Sequence, residues 1–180
     1  MTTASKITLV RVVLIPVYMV LMLLSANGAD WLRWAAVAVF VIASISDFLD
    51  GYIARHYNQT TDFGKFMDPI ADKLLVSSAL ISFVGLNRLQ AWIVIILIAR
   101  EFIISGFRLV ASDSGIVLAA SWWGKFKTAF QMIMCILLII NIQNNVFTVI
   151  NNVFIYISLA LSVISLADYL IKNRKVISDM

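Results

Sequence analysis

The sequence predicts an all-α integral membrane protein, a bundle of six transmembrane helices with both termini in the cytoplasm. The chain has 180 residues, of which 62% are hydrophobic and 13% charged, and its mean hydropathy is +0.95. A soluble domain is about 45–50% apolar and about 25% charged, whereas a spanning helix needs about 20 mostly apolar residues. Six such segments can be placed along the chain: 7–24, 33–54, 66–86, 90–110, 124–142 and 147–170. Little chain remains outside them, so we expect one membrane domain over residues 1–180.

The first predicted span also has some features of a secretory signal peptide. Lys6 and Arg11 precede an apolar run, and this run ends near the small residues 25–29, a pattern typical of a cleavage site. We favour an uncleaved first helix, because five more spans follow it and because the segment from Ile7 to Leu24 is long enough to cross a membrane.

The second and third predicted spans flank a cluster of carboxylates. The pattern Asp-x2-Asp-Gly-x2-Ala-Arg-x8-Gly-x3-Asp-x3-Asp runs from Asp47 to Asp72. It places Asp47 and Asp50 near the end of the second span, and Asp68 and Asp72 near the start of the third. Carboxylates beside hydrocarbon are unfavourable unless they are paired, and a divalent metal ion is a suitable partner.

The last three predicted spans contain few charges. Arg100 and Glu101 lie inside the fourth span, where charged residues are functional candidates, although a structural ion pair explains them equally well. Cys135 lies in the apolar run of the fifth span and is expected to act as a small buried hydrophobic residue. Asp168 and Lys172 are four residues apart on the sixth span, a spacing that favours a structural ion pair.

The distribution of lysine and arginine predicts the orientation of the helices. Short loops rich in these residues stay in the cytoplasm, and with six spans both termini lie on one side. That side collects ten of the 14 basic residues: Lys6, Arg11, Arg55, Lys65, Arg108, Lys125, Lys127, Lys172, Arg174 and Lys175. The opposite side holds Arg33 and Arg88. We therefore expect cytoplasmic termini, with the carboxylates at the cytoplasmic ends of the second and third helices.

The spacing of the aspartates predicts a metal site. Asp47 and Asp50 share one helix face, and so do Asp68 and Asp72. If the two helices are neighbours, all four carboxylates can point into one gap, where one or two divalent ions would relieve their repulsion. Two such ions are a known device for displacement at phosphorus. Taken singly, a helix-end pair is more often a cap or a solvated face, and Asp68 before Pro69 resembles an N-cap; the full pattern favours function.

The scarcity of histidine and cysteine limits which metal ions the chain can bind. The chain has one histidine, His56, and one cysteine. A zinc site with several nitrogen or sulfur ligands is therefore excluded within one chain. Oxygen ligands point to Mg²⁺, Mn²⁺ or Ca²⁺ instead.

The eight fixed positions of the pattern match the signature of the CDP-alcohol phosphotransferase family, and the chain resembles members of that family. The resemblance implies a six-helix membrane core, in the bacterial plasma membrane, that transfers a phosphatidyl or substituted phosphoryl group from a CDP-linked donor to an alcohol and releases CMP. It implies two divalent ions, Mg²⁺ or Mn²⁺, bound by Asp47, Asp50, Asp68 and Asp72, with Asp72 also acting as general base. It further implies a nucleotide-binding region, and a homodimer. The nucleotide-binding residues implied are Thr8, Gly51, Ala54, Arg55 and Gly64.

Within this family, the chain is most similar to the members that use CDP-diacylglycerol as donor and glycerol 3-phosphate as acceptor. The resemblance lies in the motif, in the opening from Lys6 to Arg11 that leads to Pro16, and in the segment from Gly124 to Thr128. In one departure, Ala4-Ser5 stands where asparagine is common in the family.

Three basic residues are candidates for holding the acceptor phosphate. Arg108 ends the fourth predicted span, while Lys125 and Lys127 begin the fifth. Arginine offers a bidentate fork for phosphate, and lysine offers a point charge. For any one of the three, the cytoplasmic bias of basic residues is an equally good explanation. Lys73, beside Asp72, is either a neighbour of the metal site or a side chain that reaches toward the interface.

Two alternative functions remain open from the residues alone. A member of the same family with another acceptor, such as inositol phosphate, serine or phosphatidylglycerol, would carry the same motif. A divalent-cation transporter would also need intramembrane carboxylates, but it should place them near the bilayer midplane and break its helices there. Nucleic acid is not an expected partner; the net charge of +4 fits attraction to anionic membrane lipids.

Overall fold

The computed structural model describes the backbone of residues 3–56, 62–113 and 121–174, and the side chains of residues 7–26, 28–46, 70–112 and 121–174. Within these ranges the regular structure is entirely helical. A short 3₁₀ turn, Ser25–Asn27, follows the first helix. The six helices are α1 (Thr3–Leu24), α2 (Asp30–His56), α3 (Asp62–Gly85), α4 (Ala91–Asp113), α5 (Trp122–Ile140) and α6 (Asn145–Lys172).

The predicted all-α class is confirmed. Among the described residues, three segments are long and apolar enough to cross a membrane by length and composition: Ile7–Leu24, Trp122–Ile140 and Asn145–Lys172. Each apolar stretch predicted from the sequence coincides with a helix, and α2 and α3 extend beyond their stretches, to His56 and from Asp62.

The chain divides into two compact units, and the first contains residues 1–89 together with 138–141. Here α1 packs on α2 and α3 through fully buried side chains. The rings of Tyr18 and Phe40 lie 5.5 Å apart between centroids at a tilted angle, an arrangement that aromatic pairs favour. Small Ala36 and Ala43 are also fully buried, and small residues allow helices in a membrane to approach closely.

The turn between α1 and α2 depends on a glycine. Gly28 has φ +92° and donates its backbone N–H to the carbonyl of Ser25 at 3.3 Å. This left-handed conformation is readily adopted by glycine, which has no Cβ. It ends the first helical segment and lets α2 begin at Asp30, where Arg33 Nη2 lies 2.7 Å from Asp30 Oδ1.

Within this first unit, two arginines contact carbonyls in the last turn of α5 and just after its end. Arg88 Nη1 donates to the carbonyl oxygens of Leu138 at 2.9 Å and Ile139 at 3.3 Å. Arg33 Nη1 approaches the carbonyl of Asn141 at 3.5 Å. Burial lowers the pKa of the Arg88 guanidinium and nearby Arg33 lowers it further, but arginine remains protonated in proteins. The two cations therefore satisfy a helix C-terminus, where the carbonyls lack helical partners.

The second unit contains residues 90–137 and 142–180, with α4, most of α5, and α6. Asn144 caps α6 by accepting the backbone N–H of Val146 at 3.0 Å. The rings of Phe130 and Phe154 meet with centroids 5.8 Å apart, which sets α5 and α6 beside each other. The buried face of α6 is formed by Ile155, Ser158, Ser162, Ser165 and Tyr169.

Candidate active site

The motif aspartates occupy the end of α2 and the beginning of α3. The backbone is helical at Asp47, Asp50, Asp68 and Asp72, so the spacings of three and four residues place each pair on one face of its helix. The side chains of residues 47–69 lie outside the described set. This range contains six of the motif positions besides Asp47: Asp50, Gly51, Ala54, Arg55, Gly64 and Asp68.

Asp72 is the one motif aspartate with a described side chain. It is half-buried and engaged with a neighbouring group. Ala71 before it is fully buried, and Leu75 is 1% exposed, so this turn of α3 is anchored in the apolar core. Asp72 is thus a partly solvated carboxylate on a rigid helix, a placement suited to a group that meets both metal and substrate.

The residues present fit a site for divalent ions. Four carboxylates at helical spacing supply the hard oxygen atoms that Mg²⁺ and Mn²⁺ prefer. Among the described side chains, which exclude those of Asp47, Asp50 and Asp68, three or more metal-ligating residues do not come together.

Thr8 and Arg11 are both fully buried in the first unit. They lie three residues apart on α1, on one face of the helix, and both interact with neighbouring groups. The sequence singled out Thr8 as a nucleotide contact, whereas Arg11 was used for the topology and the family resemblance and was given no binding role. The sequence signal that Arg11 lies beside Thr8 is their spacing of three residues. A buried cation such as Arg11 requires polar or charged partners.

The three candidate acceptor cations lie in the second unit, and their environments differ. Arg108 is exposed, with its guanidinium carbon 5.8 Å from the centroid of the Tyr169 ring. Lys125 is exposed, with Nζ 4.4 Å from the centroid of the Trp122 ring. Lys127 is only 3% exposed. The two lysines are two positions apart, with only Phe126 between them, so they project from different sides of α5.

Lys127 belongs to a buried network that joins three helices. Its Nζ donates to Oε1 of Glu101, and the same oxygen accepts from Arg100 Nη1 at 2.9 Å. Arg100 also donates to Ser165 Oγ, from Nε at 3.1 Å and from Nη2 at 2.8 Å. Arg100 is 8% exposed. The ion pair that the sequence allowed for Arg100 and Glu101 is therefore present, and it extends to α5 and α6.

The sequence interpretation missed the polar face of α6. Ser158, Ser162 and Ser165 are fully buried, and their spacings of four and three residues are the detectable signal. The hydroxyls of Ser158 and Ser162 and both amide atoms of Gln131 are buried without a hydrogen-bond partner in the described part of the chain. The interior of this unit is thus polar on α4, α5 and α6.

The amino-acid sequence was compared with protein families and with known proteins. A family model described as CDP-alcohol phosphatidyltransferase matches residues 1–164. The chain is 47% identical to a CDP-diacylglycerol–glycerol-3-phosphate 3-phosphatidyltransferase from Bacillus subtilis (strain 168), with 72% of each chain covered. Proteins of the same name from Haemophilus influenzae and Escherichia coli (strain K12) are 41% and 38% identical. The alignments cover 71% and 72% of this chain, and 69% and 71% of those proteins.

Proposed function

This chain belongs to the CDP-alcohol phosphatidyltransferase family, and on that premise we propose that it transfers the phosphatidyl group of CDP-diacylglycerol to glycerol 3-phosphate. The products are phosphatidylglycerophosphate and CMP, which makes the chain an enzyme of phospholipid biosynthesis. The observation that carries the proposal is the unbroken eight-position motif from Asp47 to Asp72, in a chain 47% identical to a relative that is named for this reaction.

The family generally uses divalent cations, and Asp47, Asp50, Asp68 and Asp72 are the residues proposed to hold two of them, Mg²⁺ or Mn²⁺. When bound, these ions would neutralise the donor diphosphate and improve CMP as a leaving group. The support for this ligand set is the helical spacing of the four residues and the scarcity of nitrogen and sulfur ligands in the chain.

The cytidine nucleotide is proposed to lie against the small residues of the motif. Gly51, Ala54 and Gly64 leave room for a ligand close to the helix backbone, while Arg55 and Thr8 offer a charged donor and a hydroxyl. The support here is the match to the family signature, together with the burial of Thr8 on α1.

Asp72 is the proposed general base. Its carboxylate takes the proton of the acceptor hydroxyl as that oxygen forms a bond to the phosphorus of the phosphatidyl group, and the phosphorus–oxygen bond to CMP breaks. Such proton transfer requires hydrogen-bond range and a carboxylate accessible to the acceptor. The half-buried position of Asp72 supports this role, and a covalent enzyme intermediate is not needed.

The acceptor phosphate is proposed to be held by the basic residues of α4 and α5, namely Arg108, Lys125 and Lys127. A dianionic phosphate favours several cations, and arginine can bind it with two parallel hydrogen bonds. The exposure of Arg108 and its position over the Tyr169 ring support a direct contact in its case.

We further propose that all six helices span the bacterial plasma membrane as a single domain over residues 1–180, with both termini and the active site facing the cytoplasm, and that the chain forms a homodimer. The composition, the three apolar helices and the bias of basic residues support the first two parts. The homodimer rests on the family resemblance.

A product assay with a panel of acceptors tests the function. Purified protein in detergent is given CDP-diacylglycerol, Mg²⁺ and one acceptor at a time: glycerol 3-phosphate, inositol phosphate, serine or phosphatidylglycerol. We expect CMP release and phosphatidylglycerophosphate with glycerol 3-phosphate, at a kcat/KM at least about 100-fold above that with serine, because serine leaves the phosphate-binding cations unpaired. Preference for another acceptor would overturn the proposal.

A further inference from the structure

One carboxylate oxygen of the second unit accepts from two buried cations, and the reaction as proposed does not use it. Glu101 Oε1 accepts from Lys127 Nζ on α5 and from Arg100 Nη1 on its own helix, α4, at 2.9 Å. Arg100 continues the connection to α6 through its two hydrogen bonds to Ser165 Oγ. One carboxylate therefore links three helices.

Burial makes the cations of this cluster depend on Glu101 and distinguishes Lys127 from Arg108. Lys127 is 3% exposed and Arg100 is 8% exposed, so neither cation is well hydrated, and each depends on Glu101 for its counter-charge. Arg108 is exposed. Of these cations, Arg108 is therefore the one that a soluble phosphate can reach.

The helical register relates the buried cluster to Arg108. Arg108 lies seven residues, or about two turns, beyond Glu101 on α4, and Tyr169 lies four residues, or about one turn, beyond Ser165 on α6. The contacts Arg100–Ser165 and Arg108–Tyr169 therefore join α4 to α6 at two levels along the helices. Both contacts are made by the same pair of helices, so we expect a change in the first to affect the position of the second.

We propose that Glu101 is a positioning residue for the acceptor: by holding Lys127 and Arg100 it sets the register of α4, α5 and α6, and thereby places Arg108 for the acceptor phosphate. Lys127 then acts through Glu101, and this indirect role replaces the direct phosphate contact proposed for it above. This inference rests on the proposed function and deepens it, because it assigns a direct role to Arg108 and an indirect role to Lys127.

A double-mutant cycle on KM tests the proposal. The variants are Glu101→Gln, Lys127→Met and Glu101→Gln/Lys127→Met, assayed against both substrates. Each single variant is expected to raise KM for glycerol 3-phosphate about ten-fold, as for loss of a hydrogen bond to a charged group, while KM for CDP-diacylglycerol changes less than about two-fold. The double variant should be no worse than the worse single variant, because coupled residues are not additive.

The design includes two controls. Glu101→Gln leaves two buried cations without an anion and can fail to fold; the double variant removes one charge of each sign, and its comparison with Lys127→Met alone then decides the outcome. Lys172→Met removes a surface ion pair of α6, with Lys172 Nζ 2.7 Å from Asp168 Oδ1, and should leave both KM values unchanged.

Two results would overturn the inference. If the fold increase in KM for glycerol 3-phosphate in the double variant equals the product of the two single-variant increases, Lys127 contacts the acceptor independently of Glu101. If both KM values rise equally, the cluster stabilises the fold without positioning the acceptor residues. Failure of the proposed function is separate, since it would appear in the wild-type protein as absence of turnover with glycerol 3-phosphate.

Discussion

Asp47, Asp50 and Asp68 are the residues on which the proposed metal site depends most directly. Replacing any one with asparagine removes a charge and a strong metal ligand while keeping the size of the side chain. We expect each variant to lose at least about 100-fold in kcat, because a bound divalent ion contributes several kcal/mol to transition-state stabilisation. Initial rates of CMP release over a range of Mg²⁺ concentrations measure the effect.

A matched control for these variants lies in the same stretch of sequence. Asp62 begins α3 but is not one of the eight motif positions, so Asp62→Asn should retain activity and its dependence on Mg²⁺. Near-normal turnover in any two of the motif variants, at ordinary Mg²⁺, would rule out the two-metal arrangement.

Asp72 differs from the other aspartates because it has two proposed roles. Asp72→Asn should lower kcat by about 10²–10⁴-fold, the usual contribution of a general base, with a smaller change in KM for CDP-diacylglycerol. Single-turnover chemistry and donor binding are measured separately on the same preparation. A variant with wild-type turnover at saturating metal, and weaker metal affinity alone, would show that Asp72 is a ligand and not the base.

The sequence identified charged residues more reliably than it identified their surroundings. The Arg100–Glu101 ion pair was recognisable from residue type and spacing, whereas the role of the motif aspartates stays a prediction. Arg11 and Lys127 were counted among the cations of the cytoplasmic side, and Lys127 was also a candidate for the acceptor phosphate, although Arg11 is fully buried and Lys127 is 3% exposed. A count of charges for each loop does not record the helix face on which a residue lies, and for Lys125 and Lys127 that face decides between solvent and a buried network.

The positions of the helices were predictable from apolar runs, and their ends were less so. A hydropathy window marks the part of a helix that suits hydrocarbon, whereas backbone hydrogen bonding continues into polar sequence. For this reason α2 extends to His56 and α3 starts at Asp62, although the predicted stretches ended at residue 54 and began at residue 66. The extensions carry the motif residues Arg55 and Gly64, which the spans had left outside.

The end of α5 provides a prediction about stability. Arg88→Ala leaves the carbonyls of Leu138 and Ile139 without their donor, and a hydrogen bond from a charged group contributes about 1.5–3 kcal/mol. In a chain of this length, that corresponds to a fall in Tm of about 3–12 °C. Thermal unfolding in detergent measures it, with kcat at low temperature expected to be unchanged.

Arg33→Ala is the comparison for this prediction. Arg33 reaches Asn141 only at 3.5 Å, and its other partner, Asp30, is exposed, with 79% of its side chain accessible. Exposed ion pairs contribute little, so the fall in Tm should be smaller than for Arg88→Ala. An equal or larger fall would mean that the Arg88 contacts do not determine the stability of this helix end.

The orientation proposed for the whole molecule rests on its charges and is open to a direct test. Most basic residues fall on one predicted side, whereas Arg33 and Arg88 meet the end of α5 within the first unit, as expected if the start of α2 and the ends of α3 and α5 share the opposite side.

Cysteine labelling tests this orientation. Cys135 is buried and can be replaced by alanine. In that background, Gln143→Cys, at an exposed site between α5 and α6, should react with an impermeant maleimide on intact cells. Gln59→Cys should react only after permeabilisation, because the basic loop that contains it is proposed to lie in the cytoplasm. Labelling of Gln59→Cys in intact cells would refute the cytoplasmic location of the motif, and with it the access of a cytoplasmic acceptor to Asp72.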